Sequence, residues 1–387
     1  MSRTQRIRIP RLAQRIGLIA AITGSIAVAG CGTPSDFPTV TATPSPASSA
    51  LPSPAPNDLK PALVGLLDRN GVPPTSFLGA LGGYVVNVYW KDLQPTPGAS
   101  LTPDNAIDRA ITEVNALNAA HGTQLGLKIR VFAGIWAPTW VKDLGGSPVT
   151  LVNPQGGGSG TIGRFWTDAF GSAYNQFEDL LAAKYDEVPA VREVTISRCT
   201  TFYDEPFIRD STDPTDISAL LAAGYTPAAD ENCQREEIAT ATIWQHTRSD
   251  LALNPYEVIG TAGTKATDEA FTLSMMQYCR QTLGFACVLE NNSLRYPVIG
   301  TGYEAMYESM SELGAPISFQ TATADRVGDL SETIGYAVTL GANSVELPGG
   351  YQSIETPASF SASGKLLANN ALASAPMPPE QSFTPIT

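Results

Sequence analysis

Short runs of aliphatic and β-branched residues alternate with longer amphipathic stretches along most of the chain. Such runs indicate buried strands, and apolar residues spaced three or four apart indicate helices that cover a sheet. In the stretch 103–120, for example, Ile107, Ile111 and Val114 fall on one helical face. The pattern predicts strands at 62–67, 84–89, 128–133, 193–197, 257–261, 287–289, 317–320 and 344–347. It predicts helices at 103–120, 170–184, 236–249, 268–283, 303–313 and 330–340.

This alternation predicts an α/β fold, a parallel sheet closed into a (β/α)8 TIM barrel. No second Pro-rich linker divides residues 59–387, so a single domain is the simplest account of this region. The rival architecture is an open doubly wound sheet with a nucleotide site. However, no GxGxxG follows the first predicted strand and no GxxxxGK[ST] occurs in the chain. We interpret the glycine-rich run 156–160 as a surface loop in a hairpin between two barrel units.

The first thirty residues have the layout of a signal peptide, with five arginines, no acid and an uncharged apolar run at 16–30. That run is shorter than the roughly 20 residues that a permanent membrane helix needs. It ends in Val28, Ala29, Gly30 and Cys31, which resembles the bacterial lipobox. The resemblance implies that the Cys31 thiol is lipidated, that the peptide is cut before it, and that the new amino terminus is acylated, for example with palmitate. Two or more chains anchor a protein stably. The alternative is an ordinary signal peptide with an incidental cysteine.

Residues 31–58 are rich in Pro, Ser, Thr and Ala, and this composition predicts a disordered tether. We therefore expect an extracytoplasmic monomer that is anchored to the cell membrane through Cys31. The chain carries 24 basic and 37 acidic side chains, and removal of residues 1–30 would take away five of the bases. Such an acidic chain is not expected to bind nucleic acid, and its overall charge suits a neutral or cationic ligand.

If Cys31 is lipidated, four cysteines remain, and an even number in an oxidising compartment predicts two disulfides. Three connectivities exist. We favour the pairs Cys199 with Cys233 and Cys279 with Cys287, because the second pair lies where a predicted helix ends and the next strand begins.

A metal site is the competing interpretation of these cysteines. The chain contains only two histidines, His121 and His246, and no CxxC motif. We therefore expect neither a metal nor another cofactor.

The fourth predicted strand leads into Tyr203, Asp204, Glu205 and Pro206. Reactive residues of such barrels come from the carboxyl ends of strands. The segment resembles the Asn-Glu-Pro motif at this position in the large clan of (β/α)8 glycoside hydrolases, which implies that Glu205 is the general acid/base. The match departs at Asp204, where the clan usually has an Asn that binds the sugar 2-hydroxyl. An acidic loop exposed to water is the alternative.

The next resemblance lies at the second and third predicted strands, which end in the "W..L.P" stretch that begins at Trp90 and the "aP.W" stretch that ends at Trp140. Both are similar to strand-end motifs of the same clan. Aromatic rings in a cleft stack on the apolar faces of sugars, although a single Trp equally suits core packing. The resemblance implies a sugar-contacting set of Trp90, Trp136, Trp140, Tyr203, Asp204, Asn87, Gln320 and Asn291.

The second carboxylate is the difficulty, because glycoside cleavage ordinarily uses two. In the clan the nucleophile is a Glu at the end of the seventh strand, and Gln320 stands there. An amide cannot form the glycosyl ester. We prefer Glu346, at the end of the eighth strand, over Glu290 as the substitute. The alternative for Glu346 is a buried ion pair with Arg130 or Arg198.

The resemblance covers the layout of roughly residues 60–350 and implies a cell-surface glycoside hydrolase. Its substrate would be a polysaccharide or a glycoconjugate, cleaved by carboxylate acid/base catalysis. One alternative is a non-catalytic carbohydrate-binding lipoprotein on a degenerate glycosidase barrel, and another is a structural or adhesion protein of the envelope. Fold alone does not separate these functions.

Overall fold

The computed structural model describes residues 58–152, 158–206, 213–298 and 301–370. The predicted signal peptide, Cys31 and all of the predicted tether except Asp58 lie outside these ranges. None of the helices within these ranges has both the length and the apolar composition that crossing a membrane requires.

Eight parallel strands form a closed barrel, in which each strand pairs with its neighbours in sequence and the last pairs with the first. This confirms the predicted fold class. The barrel strands are β1 Gly65–Asp68, β2 Leu81–Tyr89, β3 Gly126–Phe132, β4 Val191–Thr195, β5 Arg248–Leu253, β6 Cys287–Leu294, β7 Ile317–Thr321 and β8 Ser344–Leu347.

Helices surround the barrel, and their apolar faces pack on the outer side of the strands. The longer ones are α1 Ala106–His121, α2 Asp168–Tyr185, α3 Pro214–Ala222, α4 Pro227–Thr240, α5 Glu269–Leu283, α6 Thr301–Leu313, α7 Leu330–Thr339 and α8 Pro357–Asn369. Short α-helical turns lie at Trp90–Leu93 and Thr139–Lys142, and 3-10 turns at Thr75–Ala80, Gly134–Trp136, Ala241–Ile243, Gly284–Ala286 and Tyr351–Ser353. The element that follows β1 is the 3-10 turn Thr75–Ala80 rather than an α-helix. Helix α8 packs on β1 and on this turn.

Local sequence explains where the helices begin. The Asn105 side chain accepts hydrogen bonds from the backbone of Ile107 and Asp108, and the Asp108 carboxylate accepts one from the Asn105 backbone. This capping box satisfies backbone donors that the first turn of α1 would otherwise leave without partners. Helices α3, α4 and α8 each begin with a proline behind a capping Asp or Thr, a favourable arrangement for a first turn.

The predictions at 236–249 and 257–261 are wrong. Helix α4 ends at Thr240, and the fifth barrel strand is Arg248–Leu253. Glu257–Ile259 instead pairs with Lys265–Thr267 in an antiparallel hairpin outside the barrel. β5 was not recognised in the sequence because a polar residue such as Asp250 suggests an exposed position. In the structure Asp250 is fully buried inside the barrel, where it pairs with Lys128.

A second hairpin pairs Val149–Val152 with Ser159–Ile162. The end of the glycine-rich run 156–160 lies in its second strand, in agreement with the predicted hairpin. Residues 153–157 lie outside the described ranges. Both favoured disulfides are formed. Cys199–Cys233 ties the segment after β4 to α4, and Cys279–Cys287 ties α5 to β6.

Candidate functional site

A cavity of about 760 Å³ opens at the carboxyl ends of the barrel strands. Ligand sites typically measure about 300–1,000 Å³ and lie at this face in such barrels. Five of the residues predicted to form the site line this cavity: Asn87, Tyr203, Asp204, Glu205 and Gln320.

Glu205 and Asp204 lie after β4 and are only 3% and 4% exposed. The alternative of an acidic loop exposed to water is therefore wrong. The Asp204 carboxylate accepts a hydrogen bond of 2.8 Å from Arg130 Nε, and the Asn292 amide lies 3.3 Å from it. The like charge that Asp204 places beside Glu205 is thus balanced by a guanidinium.

Arg130, on β3, forms the floor of the cavity. One of its amino groups donates to Gln320 Oε1 at 3.1 Å, and the other binds both carboxylate oxygens of Glu346 at 2.7 and 2.8 Å. Glu346 has no exposed surface and does not line the cavity. Its contacts favour the ion-pair alternative with Arg130, whereas Arg198 pairs instead with Glu236 at 2.7 Å.

Lys128 Nζ is the second cation bound to Glu346, at 3.0 Å. Burial alone would raise the pKa of Glu346, but Arg130 and Lys128 together lower it to about 2. Glu346 is therefore ionised across the physiological range. A carboxylate held in this way suits a structural charge better than a nucleophile.

Four carboxylates surround Lys128 inside the barrel, where branched aliphatic layers usually lie. Its Nζ also contacts Glu193 at 3.3 Å, Asp250 at 2.6 Å and Glu290. Burial would lower the pKa of Lys128, but these carboxylates raise it well above its ordinary value. Burial raises the pKa of Glu193 to about 7 and that of Asp250 to about 6. Glu290, the other substitute considered for the nucleophile, thus belongs to this internal cluster.

These carboxyl groups predict that stability falls as the pH rises above 5. Glu193 and Asp250 of the internal cluster, and the buried Glu237 on α4, have pKa values raised by burial to about 7, 6 and 8. Their favourable contribution is complete below the ordinary carboxyl pKa and is lost as the pH rises through these values. Glu346 acts oppositely, because its contribution is lost as the pH falls from about 4.5 towards about 2.

Thermal unfolding at several pH values tests this prediction. We expect the highest Tm near pH 5 and a lower Tm at pH 8.5, with a shift of roughly 2–4 °C for each kcal/mol lost. A Tm that rises between pH 5 and pH 8.5 would contradict the assignment.

The aromatic wall of the cavity is built by the ends of β2 and β3. Tyr89 lines the cavity. Trp136, which was predicted to contact the sugar, does not line it, and its ring stacks on Tyr89 with centroids 4.3 Å apart. Lys91 Nζ lies 5.6 Å from the Tyr89 ring and 5.7 Å from the Trp136 ring. Gly134, at a φ of 32°, holds this turn against the segment after β4, because a Cβ there would lie 1.8 Å from the Thr201 carbonyl oxygen.

Trp90 does not lie in the cavity, contrary to the prediction. Its ring has no exposed surface, stacks on Phe177 at 4.9 Å and meets the Trp140 ring edge-on at 6.3 Å. Its indole N–H donates to Gln94. Trp140 packs on this cluster and does not line the cavity. The helical turn after β2 directs Trp90 into the apolar layer, and Tyr89 takes the wall position.

Asn291 is also misassigned. Its side chain is fully buried, its amide donates to the Leu253 carbonyl, and its oxygen accepts from Tyr307. Strand side chains alternate between faces, so Asn292 and Glu290 face the barrel interior. Asn292 lines the cavity in place of Asn291.

Several residues that line the cavity were not predicted from the sequence. Arg69 and Arg295 come directly after β1 and β6, so the strand-end rule would have selected them once the strands were placed. Asp325 and Arg326 lie on the loop after β7, where no sequence motif distinguishes them.

No protein-family model and no curated protein matches this sequence. Among solved structures, the catalytic domain of β-amylase from Paenibacillus polymyxa is similar at 10% identity, over 82% of this chain and 100% of that chain, with a TM-score of 0.48. Endoglucanase Cel5A from Pseudomonas stutzeri is similar at 10% identity, over 84% of this chain and 100% of that chain, with a TM-score of 0.43. Pyruvate kinase from Pyrobaculum aerophilum is similar at 12% identity, over 80% of this chain and 72% of that chain, with a TM-score of 0.36. Likeness at this level concerns the arrangement of strands and helices and does not identify the reaction.

Proposed function

We propose that the barrel acts on carbohydrate and that Glu205 is the general acid that protonates the glycosidic oxygen. The observation that carries the proposal is a nearly buried carboxyl in the segment after β4 that lines the same open cavity as the Tyr89 ring. Stacking of Tyr89 on Trp136 makes this wall a rigid aromatic surface. A carboxylic acid and an aromatic surface in one cavity are the combination that suits binding and cleavage of a sugar.

The second carboxylate of the proposed reaction is Asp325. Of the described residues that line the cavity, Asp204, Glu205 and Asp325 carry carboxyls. Asp204 is bound to Arg130. Asp325 is exposed, and a hydrogen bond from Thr323 lowers its pKa, so that it is ionised at neutral pH. An ionised carboxylate in contact with solvent suits a base that activates water.

The reaction that follows is a single displacement. Glu205 gives its proton to the leaving oxygen as the glycosidic bond breaks. Water attacks the anomeric carbon from the opposite face and passes its proton to Asp325. The configuration inverts, and Gln320 is not needed as a nucleophile. The proposal requires the carboxyls of Glu205 and Asp325 to stand about 6.5–9.5 Å apart, as inverting enzymes do.

The test is incubation of the full chain with a panel of polysaccharides and glycoconjugates, with released reducing ends as the readout. For any substrate cleaved, NMR of the first product reports its anomeric configuration. Inversion is expected. Retention would remove Asp325 from the mechanism, and a full panel without release would argue against hydrolysis.

Asp325→Asn is expected to lower kcat by about 10²–10⁴-fold with little change in KM, because the amide cannot take the proton of water. Steady-state kinetics on the best substrate measure this. Asp179→Asn, at an exposed position on α2, is the matched control and should leave kcat unchanged. Wild-type kcat in the Asp325 variant would exclude it as the base.

A second candidate is carbohydrate binding without cleavage. Two observations favour it: Gln320 stands at the end of β7, and Arg130 binds both oxygens of Glu346. Saccharide binding by the wild-type chain without any release of reducing ends would support this candidate over hydrolysis.

We also propose that the domain works outside the cytoplasm as a monomer, tethered by residues 31–58 to a lipid on Cys31. The basis is the lipobox-like sequence, together with two disulfides that suit an oxidising compartment. Cys31→Ser is expected to move the chain from the membrane fraction to the soluble fraction of the producing cell. An unchanged membrane fraction would contradict the anchor.

A further inference from the structure

Arginines collect around the cavity of a chain that is strongly acidic overall. The sequence has 37 acidic and 24 basic side chains, yet Arg69, Arg130, Arg295 and Arg326 all line this one cavity. Arg69 follows β1, Arg295 follows β6, and Arg326 lies on the loop after β7. These strands lie on the arc of the barrel from β6 through β8 to β1. We call Arg69, Arg295 and Arg326 the arginine arc.

The arginine arc differs from Arg130 in its partners. Arg130 is neutralised by Asp204 and Glu346. Within the described ranges, neither Arg69 nor Arg295 has a carboxylate oxygen within the 4.0 Å of an ion pair. Arg326 Nε lies 3.9 Å from Asp325 in an exposed pair, which in water contributes little.

Arg69 is held in a fixed direction within the arc. It is half-buried, and its guanidinium donates a hydrogen bond of 2.7 Å to the Thr321 carbonyl, which fixes its direction. Burial lowers the pKa of Arg69, yet a guanidinium remains charged in proteins. The carboxylates of Glu346 and Asp68 act on Arg69 only from beyond ion-pair distance. A fixed, partly desolvated cation of this kind interacts with a bound anion more strongly than a cation free in water does.

The guanidinium group has a defined preference among anions. Its planar fork of N–H donors matches two oxygens of a carboxylate, phosphate or sulfate. The neutral polar side chains beside the arc, Asn70, Ser293 and Thr323, suit sugar hydroxyls. The cavity therefore combines anion recognition with hydroxyl recognition, although the net charge of the chain alone favours a neutral or cationic ligand.

We propose that the cavity selects an acidic saccharide, whose carboxylate, phosphate or sulfate group binds at the arginine arc while its sugar rings extend towards Tyr89 and Glu205. This inference rests on the proposed function and specifies its substrate class. It predicts discrimination by charge between saccharides that have the same rings.

Matched pairs of oligosaccharides test the proposal with the full chain. Each acidic member is compared with a neutral partner: uronate oligomers with their methyl esters, sulfated oligomers with desulfated ones, and phosphorylated oligomers with dephosphorylated ones. Dissociation constants are measured at low and high salt. At least one acidic member should bind about tenfold or more tightly than its partner, equivalent to about 1.4 kcal/mol, and salt should weaken this preference.

Arg295→Gln is the informative variant. Arg295→Lys keeps the positive charge but not the planar set of N–H donors, and should keep part of the preference for acidic over neutral saccharides. Arg295→Gln should lose most of that preference. Lys365→Gln removes one positive charge from an exposed position on α8 and should leave the preference unchanged. Circular dichroism of each variant checks that the fold is intact.

The outcomes separate the two proposals. Neutral members that bind as tightly as their acidic partners, or an unchanged preference in Arg295→Gln, would overturn the acidic-saccharide inference and leave carbohydrate binding standing. Failure of every saccharide to bind, acidic or neutral, would overturn the proposed function and this inference with it.

Discussion

Lys128→Met is expected to lower the free energy of unfolding by about 3–5 kcal/mol, the usual cost of removing one partner from a buried charge pair. Lys128 has no exposed surface, and its ammonium group contacts Glu193, Asp250, Glu290 and Glu346. Without the cation, these carboxylates must take up protons or remain buried as like charges. The loss should therefore be larger at pH 8 than at pH 5.

Urea unfolding of wild type and variant at both pH values measures this loss. Lys184→Met is the matched control, because Lys184 forms its 2.8 Å ion pair with Asp108 at the surface. An exposed pair contributes about 0–1 kcal/mol, so the control should unfold almost like the wild type. Equal losses in the two variants would show that the internal cluster does not stabilise the barrel.

The barrel was predictable because most of its strands are apolar runs between amphipathic helices. β8, for example, has the bounds that the sequence analysis gave it. β5 was not predictable, because the partner of its buried Asp250 is Lys128, which lies two strands away on β3. A charge that is neutralised only in the tertiary structure looks like a surface residue in the sequence.

Parts of the candidate site were predictable from a short motif. The resemblance to the Asn-Glu-Pro motif selects Glu205 and Asp204, which line the cavity although they lie ten and nine residues beyond the end of β4. The choice between Asn291 and Asn292 depends on a single residue of register, because a shift of one reverses the face of every side chain. The partners of Glu346 depend on which residues of β3 face inward, and a pattern of apolar residues does not reveal this.

Glu205→Gln is expected to lower kcat by about 10²–10⁴-fold, because the amide keeps the shape of the acid and cannot protonate the leaving oxygen. The loss should be greatest for substrates whose leaving group is a sugar hydroxyl, which needs that proton. Saccharide affinity should change little, since stacking on Tyr89 and contact with the arginine arc are unaffected. Glu113→Gln, at an exposed position on α1, is the matched control.

The role of Glu205 is tested by the release of reducing ends by wild type and Glu205→Gln on the same glycan, with affinity for that glycan measured in parallel. We expect release by the wild type, little or none by the variant, and similar affinity for both. Equal rates of release from the two proteins would contradict the central claim that Glu205 performs the chemistry of this cavity.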